Sequence, residues 1–185
     1  MYLHSTFSMI FCPLPGTPLV TQGFGQNPEV YKPFGFAGHE GIDFGVPVGT
    51  TVYAPHDGVI KVQDEGNQNY GLSVTIESPT RKSLLAHLSG VTVTTGQNIS
   101  QGDPVGKSGE SGMASGPHLH WTFKLMKNGI VQNKDNGFNG CMDAARVTRL
   151  WQPQTLRDDA EFTDEAKPYL SIILASNQAI GGKIA

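Results

Sequence analysis

Hydrophobic positions along this chain recur in short runs with a period of two, separated by glycine, proline, asparagine and serine. The runs TQGFG, GIDFGVPVG, TVYAP, HDGVIKVQ, YGLSVTIES, KSLLAHLS, VTVTTGQNIS, DPVGKSG and LHWTFKLM follow one another between residues 21 and 126. In YGLSVTIES the alternation is clean, with Leu72, Val74 and Ile76 on one side and Ser73, Thr75 and Glu77 on the other. Successive side chains of a strand point to opposite faces, so this run predicts one face in a core and one toward water. Short strands at such spacing predict a mainly β fold, an antiparallel, sandwich-like sheet. Residues 1–19 are proline-containing and without period, and read as a lead-in to a domain over 20–140. From about residue 141 the texture changes. Acidic residues are followed by Leu170, Ile172, Ile173, Leu174 and Ile180, which predicts a C-terminal extension over 141–185 with a short amphipathic helix starting near Thr163.

Composition narrows the function classes. The 185 residues suit one domain with a real core, and 23 glycines and 12 prolines favour tight turns over long helices. A formal charge of −3, with Lys and Arg scattered singly, provides no basic face and excludes nucleic acid as an expected partner. No apolar run approaches the roughly 18 residues of a membrane span. The stretch MYLHSTFSMIFCPLPG lacks the basic start and unbroken apolar region of a secretory signal, so none is expected. Cys12 and Cys141 sit in no CxxC pattern and are expected to be free, buried thiols.

The chemistry concentrates in three stretches. In GPHLHW, an extended backbone projects His118 and His120 to one side and Leu119 to the other. A structural histidine pair is the competing reading of that motif alone. In FAGHEGIDFGVP, His39 and Asp43 are four apart, and Gly38, Gly41 and Gly45 argue for a turn feeding a strand rather than a helix. Two imidazoles and a carboxylate are a common three-ligand set for catalytic zinc, which keeps a position open for water. In LLAHLSG, His87 lies on an apolar strand, where a lone histidine is more often structural. Yet a zinc hydrolase also needs a proton-handling group and a stabiliser for the tetrahedral oxyanion. His4 and His56 read as structural. The run QGDPVGKSGESG ends like a phosphate-binding loop, but Gln101 stands where that loop needs glycine, and Gly109 and Gly112 follow where it needs a helix.

Taken in order, HEGID, FGVPVGTTVYAPHDGVI, YGLSVTIE, AHLSG and VTTGQNISQGDPVGKSGESGMASGPHLHW resemble the lysostaphin-type (LytM-like) zinc metallopeptidases, which cut peptide bonds in bacterial peptidoglycan. The resemblance runs from about Val20 to Leu125. It implies a mostly antiparallel β core with the site in a groove across the sheet. It implies one Zn2+ per chain held by His39, Asp43 and His120, with His118 as general base and His87 orienting water or stabilising the oxyanion. Two positions depart from the family pattern: Gln26-Asn27-Pro28 where an arginine is common, and Leu85 where an aromatic is common. The long segment FGQNPEVYKPFGFAGHEGIDFG is more like the versions carried by bacteriophages. That leads to the expectation of a virion-borne tail enzyme, or one released to the bacterial wall, with peptidoglycan as substrate and phage tail proteins as partners. The competing classes are a non-catalytic peptidoglycan-binding or tail structural module, separable by absence of zinc, and an amidase or D,D-carboxypeptidase, separable by products.

Overall fold

The computed structural model describes residues 10–151, and the helix expected near Thr163 and residue His4 lie outside them. Along the described residues run β1 (Ile10–Pro15), β2 (Leu19–Gln22), a one-turn helix α1 (Pro28–Tyr31), β3 (Ile42–Gly45), β4 (Thr51–Tyr53), β5 (Gly58–Asp64), β6 (Leu72–Glu77) and β7 (Arg81–Ala86). They continue with β8 (Leu88–Val91), β9 (Asn98–Ile99), β10 (Pro104–Ser108), β11 (Leu119–Lys127), β12 (Ile130–Val131) and β13 (Thr148–Trp151). The mainly β, antiparallel expectation is met. An eight-stranded sheet runs β2-β3-β11-β7-β6-β5-β9, with β12 also on β11, and every pairing in it is antiparallel. A second, three-stranded sheet runs β4-β10-β8, and β1 pairs in parallel with β13.

Register assigns the residues of the large sheet to its two faces. Trp121 lies opposite Ile42 on β3 and Leu85 on β7, and Leu85 lies opposite Val74 on β6. One position along, Phe123 faces Ser83, Ser83 faces Ile76, and Ile76 faces Ile60. These rows form the core face, which joins Val52, Ala54, Leu88 and Val105 of the small sheet in one buried hydrophobic cluster. Burial of this area is the main source of the fold's stability, at about 25 cal/mol per Å² of apolar surface removed from water. The intervening rows are Asp43, His120 and Ala86, then Thr122, Leu84, Thr75 and Lys61, then Lys124, Lys82 and Glu77. This second face is the floor of the site groove.

Three local expectations change. Ser73 and Thr75 are not toward water but 3% and 6% exposed, because Phe36, Asn139 and Cys141 wall the groove above that face. Residues 10–15 are part of the core, not of an aperiodic lead-in. Ile10, Cys12 and Leu14 alternate inward around Pro13, which the edge position of a two-stranded pair tolerates. Residues 141–151 also belong with the core, through buried Cys141 and Ala144 and through β13. Cys12 and Cys141 are both free and buried.

Candidate functional site

The segment before β3 lies flat across β11 because its glycines permit it. A Cβ at Gly41 would lie 2.6 Å from the Trp121 carbonyl oxygen and 2.7 Å from His120 Cε1, so any side chain there would push the two strands apart. That close approach sets His39 and Asp43 beside His120, which is opposite Asp43 in register. His39 Nε2 is 3.0 Å from His120 Nδ1, His120 Nδ1 is 2.7 Å from Asp43 Oδ1, and His39 Nε2 is 3.3 Å from Asp43 Oδ1.

These three donor atoms lie within 4.8 Å of one another, and the set could hold a metal ion. Tetrahedral ligation with bonds of about 2.0–2.1 Å places donors roughly 3.3 Å apart, close to the spacings here. The tautomers agree with that use. His39 Nδ1 is 3.2 Å from the Gly23 carbonyl, which can only accept, so Nδ1 carries the proton and Nε2 presents its lone pair to the cluster. His120 turns its other nitrogen, Nε2, toward Glu40 Oε1 at 3.6 Å, just beyond hydrogen-bond length.

Electrostatics follow from this crowding. Burial alone would raise the Asp43 carboxyl, but hydrogen bonds and charge from His120 and His39 hold it well below the usual carboxylate range. Burial disfavours a charged His120, yet the carboxylates of Asp43 and Glu40 on its two edges more than reverse this and push it up to about 9. Glu40 is held at about 2, its burial outweighed by His120 and by the Tyr70 hydroxyl.

His118 and His87 complete the cluster. His118 precedes β11 in a single bridge to Gly109, and its Nε2 stands 3.9 Å from Asp43 Oδ1, on the side that His120 also faces. His87 is not within a strand. It sits at the break between β7 and β8 with φ +60°, a left-handed conformation uncommon for a non-glycine residue and a source of local strain. The two rings pack with centroids 4.6 Å apart, and His87 also meets the His120 ring at 5.9 Å. Each is anchored through Nδ1 on a backbone carbonyl, His118 on Gly116 at 2.8 Å and His87 on Ser111 at 2.7 Å. By the same tautomer argument, Nε2 of each neutral ring is an acceptor. Burial pushes His87 down to about 4, so it is neutral through the physiological range.

The structure thus gathers all five residues singled out in the sequence, His39, Asp43, His87, His118 and His120, around one point. His56 lies elsewhere, buried under the core face. Two residues at the site were not singled out. Glu40 is 5% exposed and accepts the Tyr70 hydroxyl at 2.7 Å, and Tyr70 stacks on His120 with centroids 5.6 Å apart. Glu40 Oε2 and His120 Nε2 are buried without hydrogen-bond partners among the described residues. A carboxylate behind a ligating imidazole fixes its ring and raises its basicity, and Glu40 stands where it could do this for His120. The only sequence signal for Glu40 was its place inside HEGID, and Tyr70 had none.

Comparison with known proteins places this geometry. The model of Peptidase family M23 matches residues 37–134, more than half of the chain. The chain is 41% identical over 101 residues to the peptidoglycan DD-endopeptidase ShyA of Vibrio cholerae, covering 54% of this chain and 23% of that protein. It superposes on the catalytic domain of the antimicrobial peptidase lysostaphin from Staphylococcus simulans with a TM-score of 0.51 and 26% identity, over 64% of this chain and 90% of that one. A mutant catalytic domain of the prophage-encoded M23 protein EnpA from Enterococcus faecalis superposes with a TM-score of 0.53 and 27% identity, over 67% and 96% of the two chains. The chain spans about a quarter of the length of the curated peptidoglycan endopeptidases it matches.

Proposed function

The chain belongs to peptidase family M23, and from that premise we propose that it is a zinc-dependent peptidoglycan endopeptidase, hydrolysing peptide bonds in the stem peptides or crosslinks of the bacterial wall. The observation that carries the reading is the convergence of His39 Nε2, Asp43 Oδ1 and His120 Nδ1 beside two further imidazoles with acceptor nitrogens. Zn2+ held by those three residues would supply Lewis acidity, making a scissile carbonyl more electrophilic and a water a better nucleophile. His118 accepts the proton of the attacking water at Nε2 and returns it to the leaving amine. His87, neutral and with Nδ1 committed to Ser111, accepts a hydrogen bond from that water and orients it. An acceptor nitrogen suits that role better than donation to an oxyanion. Asp43 and Glu40 would balance the positive charge of such an ion, and Tyr70 keeps Glu40 in place.

The proposal extends to a phage origin, with the enzyme carried on the virion tail or released to the wall. The long segment from Phe24 to Gly45 and the likeness to a prophage-encoded relative support this. The test is digestion of purified sacculi of several wall chemotypes, with and without a chelator, read by mass spectrometry of the fragments. Chelator-sensitive release of crosslink fragments is the expected result. Intact crosslinks on every wall, from a protein holding one zinc per chain, would contradict the endopeptidase.

A further inference from the structure

On the far side of Glu40 and Tyr70, which flank His120, the polar face of the large sheet holds a cavity of about 300 Å³. Its floor is Ser73, Thr75, Leu84 and Thr122, and three lysines, Lys61, Lys82 and Lys124, stand at its far end and side. Their placement follows from register. Lys124 lies directly opposite Lys82 on neighbouring strands, and Lys61 lies opposite Thr75 one row nearer the cluster. Like charges facing each other across a ladder are destabilising, so this arrangement does not arise from optimising the sheet.

The ammonium groups are only partly answered from within the protein. Lys124 Nζ donates to the Asn139 carbonyl at 2.9 Å, a neutral partner that leaves its charge unbalanced. Lys82 pairs with Glu77 at 2.9 Å, and both side chains are more than a third exposed, so that pair is weak. Lys61 has no ion pair among the described residues. Of the acids that share the groove, Glu40 is held by Tyr70 and faces His120, while Glu65 accepts the neutral backbone N–H of Tyr70 and keeps its charge, so the three lysines still outnumber the one unpaired carboxylate. Each ammonium has three donors, so every lysine here retains hydrogen-bonding capacity toward the groove.

We propose that Lys61, Lys82 and Lys124 form a carboxylate-binding end of the substrate groove. They select wall peptides that carry free carboxylates over uncharged segments such as an all-glycine bridge. Four residues separate His120 from Lys124 along β11, about 13 Å at 3.3 Å per residue. An extended peptide covers that distance in about four residues, so the selected carboxylate lies about that far from the scissile bond. The proposal rests on the peptidase reading above and adds the charge class of its substrate.

The test uses the full chain loaded with zinc and two synthetic crosslinked stem peptides, one with free side carboxylates and its twin with those groups as carboxamides. Binding to each peptide is measured directly, and kcat and KM are measured where cleavage occurs. The protein is compared with the triple variant Lys61→Gln, Lys82→Gln, Lys124→Gln and with each single variant, after melting curves and metal analysis establish that they fold and hold zinc. The carboxylate peptide should bind about tenfold or more tightly. That preference should shrink with added salt and disappear in the triple variant through KM, with kcat on the carboxamide twin unchanged. Equal binding of the twins by the unsubstituted protein, or a preference that survives in the triple variant, would overturn the proposal. Should the triple variant not fold, the single variants decide it by the same measure. If neither peptide is cut, the peptidase reading fails for these substrates while the binding preference still decides the role of the lysines.

Discussion

The two faces of the eight-stranded sheet are made by alternate residues of the same strands, yet they treat polar groups in opposite ways. On the core face, the buried polar side chains are linked in one hydrogen-bonded chain. Trp121 Nε1–H donates to Ser83 Oγ at 3.3 Å, the Ser83 hydroxyl meets His56 Nε2 at 3.0 Å, and His56 Nδ1–H donates to the Asp57 carbonyl at 2.8 Å. Burial lowers the His56 imidazole, which therefore stays neutral inside the apolar cluster. On the groove face, six imidazole and carboxylate side chains (His39, Glu40, Asp43, His87, His118 and His120) crowd together, two polar atoms lack partners among the described residues, and two lysines oppose each other. A buried polar group without a partner costs more than a satisfied one contributes, so a face that accumulates them is shaped by something other than folding. The proposed function supplies that something: an ion held by His39, Asp43 and His120 and a peptide substrate beside it.

The two faces should differ most in stability at neighbouring residues of β11. Trp121→Ala removes a side chain that is 1% exposed and leaves Ser83 without its indole donor. The expected cost is about 3–5 kcal/mol in denaturant unfolding. Thr122→Ala, one residue along and on the groove face, should cost about 1 kcal/mol or less. Equal losses would mean the two faces share the work of stability.

Glu40→Gln keeps the shape and the Tyr70 contact but removes the charge behind His120. Zinc affinity should weaken by about 10–100-fold, measured by competition with a chromophoric chelator. Unchanged affinity would reduce Glu40 to a filler of the groove wall.

The smallest expected effect is a pH dependence. In chelator-treated protein, His120 has a folded pKa of about 9 against an unfolded value near 6.5. A raised pKa contributes stability that is complete below about pH 6.5 and is lost as pH rises through about 9. The melting temperature of the metal-free protein should fall across that window. Zinc-loaded protein should not share the fall, because a ligating imidazole is already deprotonated there. Parallel curves would place His120 outside the metal set.

Legibility from sequence followed the range of the interactions. The period of two in LSVTIE and LHWTFKLM is local, and both segments form strands with the apolar set inward as read. The identity of the second face was not legible, because Ser73 and Thr75 are buried by the distant residues Phe36, Asn139 and Cys141. In β1, prolines at 13 and 15 mask an alternation that only the completed core makes visible. The site residues were legible because HxxxD, AHLS and HxH each carry their own spacing. Glu40 was not, since its role depends on which edge of His120 a strand 80 residues later turns toward it. Nor does any local rule foretell that His87 leaves its strand in a left-handed conformation.

The proposed function gives metal holding to His120, whose Nδ1 meets Asp43 and His39, and proton transfer to His118, two residues away on the same side. The most direct test is zinc content and turnover of His118→Ala and His120→Ala, each shown to be folded. His118→Ala should retain about one zinc per chain while turnover falls by about 10²–10⁴-fold, and His120→Ala should lose zinc and activity together. A folded, zinc-free His118→Ala, or a His120→Ala protein that keeps its zinc, would contradict that division of roles.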